Sequence, residues 1–156
     1  MATTNANISA EDRQCLADGL SRLLADSYTL YLKTHNFHWN VEGPNFQAFH
    51  DLFEKQYRDL AQAVDDIAER IRALGHYAPG SYSDFAKFAT VKEQTGRPKA
   101  QDMVRELADD QDTIVASMRK VIKTAREADD PATEDLIIAR MQTHEKNAWM
   151  LRAHLA

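Results

Sequence analysis

Cysteine, glycine and proline are all scarce in this chain: one, five and four residues respectively in 156. The single cysteine, Cys15, has no intrachain partner, which excludes a disulfide-stapled scaffold and a thiolate site for zinc or copper(I), and which fits a reducing cytoplasm. Its expected role is a small, half-buried side chain on a helix. Long apolar runs are also missing, so no membrane span is expected. The first ten residues, "MATTNANISA", lack the basic and apolar regions of a signal peptide, so no export is expected. Basic tails are missing too. The first Lys or Arg is Arg13, the last eight residues "WMLRAHLA" carry one Arg and one His, and the net charge is −5, a balance that argues against general attraction to nucleic acid. What remains, 44% apolar and 28% charged residues, describes a globular protein of one domain spanning residues 1–156, with 1–8 a short flexible tail.

The few breaks fall between long segments of helical period, and four long helices and one short one are predicted. The first runs from about Ser9, with Asp12 three residues on completing a capping-box-like start, to about His35. Leu16, Leu20, Leu24, Tyr28, Tyr31 and Leu32 line one side of it. After "VEGPN", Pro44 suits the first turn of a second helix, because proline lacks only an amide hydrogen that has no partner there. Gly75 suits that helix's C-terminal end. The segment "GHYAPGSYSDFAKFATVKEQTGRP" is too long for a tight connection and contains a short serine-capped helix at "SDFAKF". From about Pro98 to Ala128, Val104, Leu107, Ile114, Val115, Met118, Val121, Ile122 and Ala125 keep the helical period until Asp130 and Pro131 break the chain. The last helix presents Ile137, Met141, His144, Ala148, Leu151 and Leu155. Two helical hairpins joined by one long crossover, which lets the third long helix run parallel to the second, define an all-α, ferritin-like four-helix bundle with a short extra helix in the crossover between the second and third long helices.

The second helix carries a His/Glu pair, His50 and Glu54, and an Asp/Glu pair, Asp65 and Glu69, each spaced by four. With His50 at zero and about 100° per residue, Glu54 falls near 40°, Asp65 near 60° and Glu69 near 100°, while Phe53, Leu60, Val64, Ile67 and Ile71 lie between about 260° and 320°. The four polar residues therefore share a face that is not the core face. Glu54 and Asp65 are about 16 Å apart along the axis, too far for one metal site within one chain. Two copies of the helix packed antiparallel about a point between residues 59 and 60 bring Glu54 opposite the second copy's Asp65 and His50 opposite its Glu69, so that both pairs register at once. One imidazole with three carboxylates suits a ferrous or manganous ion. Taken alone, the same residues are also what solvated surface pairs look like, although two acids at spacing four mildly repel unless a cation offsets them.

The preceding turn reads "THNFHWNVEGPNF", with His35, His38 and Trp39. The run from His35 to Gly75, "HNFHWNVEGPNFQAFHDLFEKQYRDLAQAVDDIAERIRALG", together with "HEKNAWMLRAHL" in the last helix, resembles the Dps family, the mini-ferritins called DNA-binding proteins from starved cells. The resemblance covers nearly the whole chain and centres on His38, a His twelve residues later, an acid four later, an Asp eleven later and a Glu four later. It implies a ferroxidase centre for two irons, shared across a two-fold interface, with His38, His50 and Glu54 from one chain and Asp65 and Glu69 from the other. His38 is added by the resemblance alone. Many members carry Asp where Glu54 stands. Trp39 matches a family tryptophan beside the iron site, where it either packs the interface or donates an electron to a stray oxidising equivalent. His35 matches no ligand. An intra-subunit di-iron centre would instead need Glu-x-x-His pairs facing the bundle core, and none of the six histidines has a Glu three residues before it.

What the resemblance further implies is a cytoplasmic stress protein that oxidises ferrous iron, preferably with hydrogen peroxide, and stores ferric oxide inside a hollow shell of twelve copies, limiting oxidative damage. An alternative of a different kind is a DNA-compacting nucleoid protein in which iron oxidation is secondary. Around the turn before the last helix, "EADDPATED" supplies Asp130, Glu134 and Asp135, which the resemblance places at an acidic iron-entry pore. Acids there also cap a helix N-terminus and complement its dipole.

Overall fold

The Ser9 hydroxyl accepts a hydrogen bond from the Asp12 amide at 3.1 Å and donates to the Asp12 carboxylate at 2.6 Å, and this pair starts the first helix. The computed structural model describes residues 7–156 and contains five helices: α1 Ala10–Asn40, α2 Phe46–Ala73, α3 Tyr82–Phe88, α4 Ala100–Glu127 and α5 Pro131–Ala153. No strand occurs among the described residues. Most of the expected flexible tail lies outside the described residues, but Ile8, assigned to that tail, packs against the core.

α1 forms one hairpin with α2, and α4 another with α5. Lys33, late in α1, meets Glu106 and Asp110, early in α4, so those helices run antiparallel. Tyr31 meets Tyr57 and His38 meets His50, so α1 and α2 are antiparallel as well. α2 and α4 therefore run parallel, as a long crossover between them permits, and the chain is a ferritin-like bundle. The interior is built from the apolar stripes of all four long helices: Leu16, Leu20, Leu24, Leu30 and Phe37 of α1, Phe53, Leu60, Ile67 and Ile71 of α2, Val104, Leu107, Ile114 and Met118 of α4, and Ile137 and Leu151 of α5. Each such side chain contributes about 1.5–3 kcal/mol when fully buried, so this interior outweighs any single polar contact.

Several expected details move. α1 continues five residues past His35 to Asn40, because Phe37 is buried and holds the extra turn against the core. Leu32, expected on the packed side, is exposed, and Leu30 and Phe37 take that role. Cys15 is exposed, not half-buried. Pro44 precedes α2, whose N-cap is Asn45, and the tight turn before it depends on Gly43 at φ 115°, a left-handed conformation open to glycine. The short helix is capped by Ser81, not Ser83. Gly75 closes α2 at φ 91°, where the His76 amide reaches back to the Ile71 carbonyl. At the end of α4 the same role falls to Asp129, at φ 51°, with the Asp130 amide donating to the Ala125 carbonyl.

The crossover is tied down by two buried charges. The Asp26 carboxylate accepts from the Thr90 and Val91 amides, and burial pushes its pKa up against those bonds. Lys33 donates to the Lys92 carbonyl at 3.1 Å while pairing with Asp110 at 2.8 Å.

At mid-bundle, the His144 Nδ1–H donates to Gln111 Oε1, and Arg140 donates to His144 Nε2 at 3.3 Å while pairing with Asp59. Burial, reinforced by the Arg140 charge and opposed by Asp59, lowers the His144 pKa from 6.5 to about 3. The fold holds the neutral ring, so the unfolded chain binds the proton first. Stability is complete above pH 6.5 and falls by about 1.4 kcal/mol per pH unit as pH drops from there towards 3. Urea unfolding midpoints should decline over this window in the parent protein and decline less steeply in His144→Gln.

Candidate metal centre

His38 lies in the last two turns of α1 and His50 in the second turn of α2, so the α1–α2 turn folds one histidine onto the other. Their rings stack at 3.8 Å between centroids with an interplanar angle of 19°. Each Nδ1–H donates to the other residue's main-chain carbonyl at 2.8 Å, since a carbonyl can only accept. This reciprocal lock fixes both tautomers and leaves both Nε2 atoms as acceptors, the state in which imidazole ligates a metal. Phe46 stacks on the other face of His50 at 5.0 Å.

Glu54 follows one turn after His50 on α2. In the single chain its carboxylate is held by Arg58 at 2.6 and 2.8 Å. That hydrogen bond lowers the Glu54 pKa; burial opposes it, and the charges of Arg58, His38 and His50 add to the lowering, so the group is an anion at neutral pH. A cation bound at Glu54 would compete with Arg58 for it. Asp65 and Glu69 lie further along α2, both exposed. The chain thus brings His38 and His50 together, with Glu54 one helical turn further on and turned to Arg58, and leaves Asp65 and Glu69 further along α2. Among the described residues, no three His, Cys, Asp or Glu side chains converge on one point.

Trp39 is 58% exposed and lies against His35, ring centroids 3.9 Å apart. His35 in turn stacks on Tyr57 at 4.1 Å, and burial, with His38 and Arg58 nearby, lowers its pKa. Tyr57 also meets the edge of His38 at 5.1 Å. Sequence reasoning did not single out Tyr57, Arg58 or Phe46. Arg58 was detectable as a cation four residues after Glu54, a spacing that pairs on a helix.

The three pore candidates separate. Asp130 is buried: it caps α5 through the Thr133 amide at 3.1 Å and takes two hydrogen bonds from Arg70 at 2.8 and 2.9 Å. Glu134 is held by Arg126, and Asp135 is exposed. Burial raises the Asp130 pKa, but hydrogen bonds from Thr133 and Arg70 outweigh it and the net shift is downward. The stability Asp130 supplies is therefore present above the unfolded carboxyl value of 3.8 and is lost as pH falls through its lower folded value. Asp130→Asn keeps a capping oxygen but takes the carboxylate from Arg70, which retains only its bond to the Thr133 hydroxyl, and should cost about 3 kcal/mol at neutral pH by urea unfolding. The difference from the parent should shrink below pH 3.8.

The fold and the histidine pair first define a class. A ferritin-like domain model matches residues 17–156. Within that class, the chain is 38% identical over 143 residues to a DNA protection during starvation protein of Brevibacillus brevis, covering 92% of this chain and 96% of the relative. It is 40% identical over 157 residues to a low temperature-induced protein of Nostoc sp., covering 99% of this chain and 88% of the relative. The crystal structure of a Dps protein from Vibrio cholerae O1, described as a member of a broad superfamily of ferritin-like diiron-carboxylate proteins, superposes with a TM-score of 0.94 at 33% identity, covering 100% of this chain and 98% of that one. That of a Dps protein from Bacillus brevis gives 0.92 at 36% identity, covering 96% and 100%. The chain belongs to the Dps family of ferritin-like proteins.

Proposed function

We propose that this protein oxidises ferrous iron at sites completed only when two copies meet, stores the ferric product inside a closed shell, and by doing so shields DNA from oxidative damage. The observation that carries this reading is the reciprocal His38/His50 lock, which presents two Nε2 acceptors one helical turn from Glu54, while among the described residues no three His, Cys, Asp or Glu side chains of the single chain form a complete site. Asp65 and Glu69 of a second copy, brought in by antiparallel packing of α2, supply the missing carboxylates. Two imidazoles and three carboxylates hold ferrous ions, and the anionic oxygens favour the higher charge of ferric iron. The Dps and starvation-protection names of the relatives agree with iron handling and DNA protection.

Iron is the substrate. Two ferrous ions give one electron each to hydrogen peroxide, which with two protons becomes two waters and releases no hydroxyl radical. His38 and His50 hold their ions through Nε2 while the carbonyl bonds keep the rings from turning. Glu54 exchanges Arg58 for iron. The same reading makes the protein cytoplasmic and twelve-membered, with Glu134 and Asp135 lining an acidic entry and Asp130 setting the start of α5 behind them.

The shared site has a strict test. His50→Ala and Glu69→Ala, prepared separately, should each assemble but lose rapid peroxide-driven iron oxidation. Subunits of the two variants, mixed in equal amounts and reassembled, should recover about a quarter of the parental sites, because half the dimers are mixed and each of those contains one intact cluster. A mixture as inactive as its components would place all ligands within one chain and sink the proposal.

Protection of DNA here follows from removing iron and peroxide. With a net charge of −5, the protein should leave linear DNA unretarded in a gel at physiological salt. A retarded band whose yield falls as salt rises would establish direct binding instead.

A further inference from the structure

Four of the five tyrosines form one connected row that starts at the histidine pair. Tyr57 of α2 lies 5.1 Å from His38, Tyr31 of α1 lies 6.2 Å from Tyr57, Tyr28 lies 5.7 Å from Tyr31, and Tyr82 at the start of α3 lies 6.3 Å from Tyr28, all between ring centroids. The contacts between tyrosines are all edge-to-face. The first three rings are half-buried, whereas Tyr82 is 72% exposed in the single chain. Phenylalanine would fill the same volume and keep the same ring geometry, so what tyrosine brings to these places is its hydroxyl, which in Tyr28 meets Tyr82 and in Tyr57 meets Arg58. What the phenol adds is an O–H that can give up an electron and a proton together.

We infer that Tyr57, Tyr31, Tyr28 and Tyr82 form a relay that moves a one-electron oxidising equivalent away from the iron site to the surface at α3. The inference rests on the iron reading, which supplies the oxidant. When only one ferrous ion occupies a site, it gives one electron to hydrogen peroxide, leaving a ferric ion, a hydroxide and a hydroxyl radical. The radical takes a hydrogen atom from the Tyr57 phenol, making water and a Tyr57 phenoxyl. That phenoxyl takes an electron and a proton from Tyr31, Tyr31 takes them from Tyr28, and Tyr28 from Tyr82, each donor becoming the next phenoxyl as its acceptor is restored. A small thiol then gives a hydrogen atom to Tyr82, and the resulting thiyl radicals pair as a disulfide. Burial and the neighbouring Tyr82 and Tyr31 push the Tyr28 pKa up, so Tyr28 stays a protonated phenol and its proton must leave with its electron. Trp39 reaches Tyr57 only across His35, and so stands on a side branch.

Tyr77 provides an internal control. It is 74% exposed, about as open as Tyr82, and makes no contact with the row; its ring lies under Arg72 instead. The assembled protein is loaded anaerobically with less ferrous iron than sites, treated with peroxide, and followed in the same sample by iron oxidation, freeze-quench electron paramagnetic resonance and peptide mass spectrometry of oxidised tyrosine. Tyr82 should be modified several-fold more than Tyr77, and in Tyr31→Phe it should fall to the level of Tyr77 while iron is still oxidised. Tyr28→Phe should give the same loss and covers the case in which Tyr31→Phe fails to assemble. Equal modification of Tyr82 and Tyr77 in the parent, or unchanged Tyr82 modification in both variants, with iron oxidised normally, overturns the relay alone. No iron oxidation in the parent overturns the relay together with the iron reading.

Discussion

The exchange of hydrogen bonds between His38 and His50 is the point at which fold and site become one thing. Each ring spends its Nδ1–H on the other residue's backbone, so the imidazoles are held by main chain and not by flexible side chains. The contact exists only because α1 continues to Asn40 and the turn at Gly43 returns the chain directly into α2. The stacked rings are held face to face by these bonds and by the α1–α2 turn. The carbonyl bonds fix the tautomer, and the tautomer fixes which nitrogen is offered.

The bundle interior explains why that offering faces outward. In a ferritin-like bundle the space between the four helices is the other natural place for a metal, but here its middle is filled by Gln111, His144 and Arg140. The Arg140 guanidinium is itself buried, held by Asp59 at 3.0 and 2.7 Å. A fixed cation there repels iron, and the one carboxylate nearby is already neutralised by it. Those polar groups make the core specific at some cost in stability, and they agree with the proposal that cations bind on the outer face of α1 and α2.

Helical phase was enough to read the outward face of α2, because His50, Glu54, Asp65 and Glu69 lie on one helix whose apolar stripe is clear. It could not place His38, which lies on a different helix and meets His50 only through a turn. The end of α1 was read too early because "HNFHWN" has low helix propensity and looks like a loop; the buried Phe37 overrides that preference. Asp130 shows the opposite limit. As a residue type it suits a cation path, but only the three-dimensional meeting of Arg70 with the start of α5 reveals that its charge is already used.

A site split between two copies, as proposed, would make chemistry conditional on assembly, and the surface around the histidine pair is consistent with that. Leu32, Trp39 and Phe46 on α1 and α2, with Phe88 on α3, are all large and exposed in the single chain. Scattered exposed apolar groups are ordinary, but these belong to the two helices that hold the histidines and to the short helix packed on one of them. Covering such a surface with a second copy would remove apolar area from water and bring the partner's Asp65 and Glu69 towards His50 and Glu54 in the same step. The hydrophobic gain of the interface would then offset the cost of gathering five metal-ligating groups, three of them acids, in one small volume. An isolated chain keeps its histidines locked and its Glu54 occupied by Arg58, so on the proposed reading ferrous iron would meet its full ligand set only after assembly.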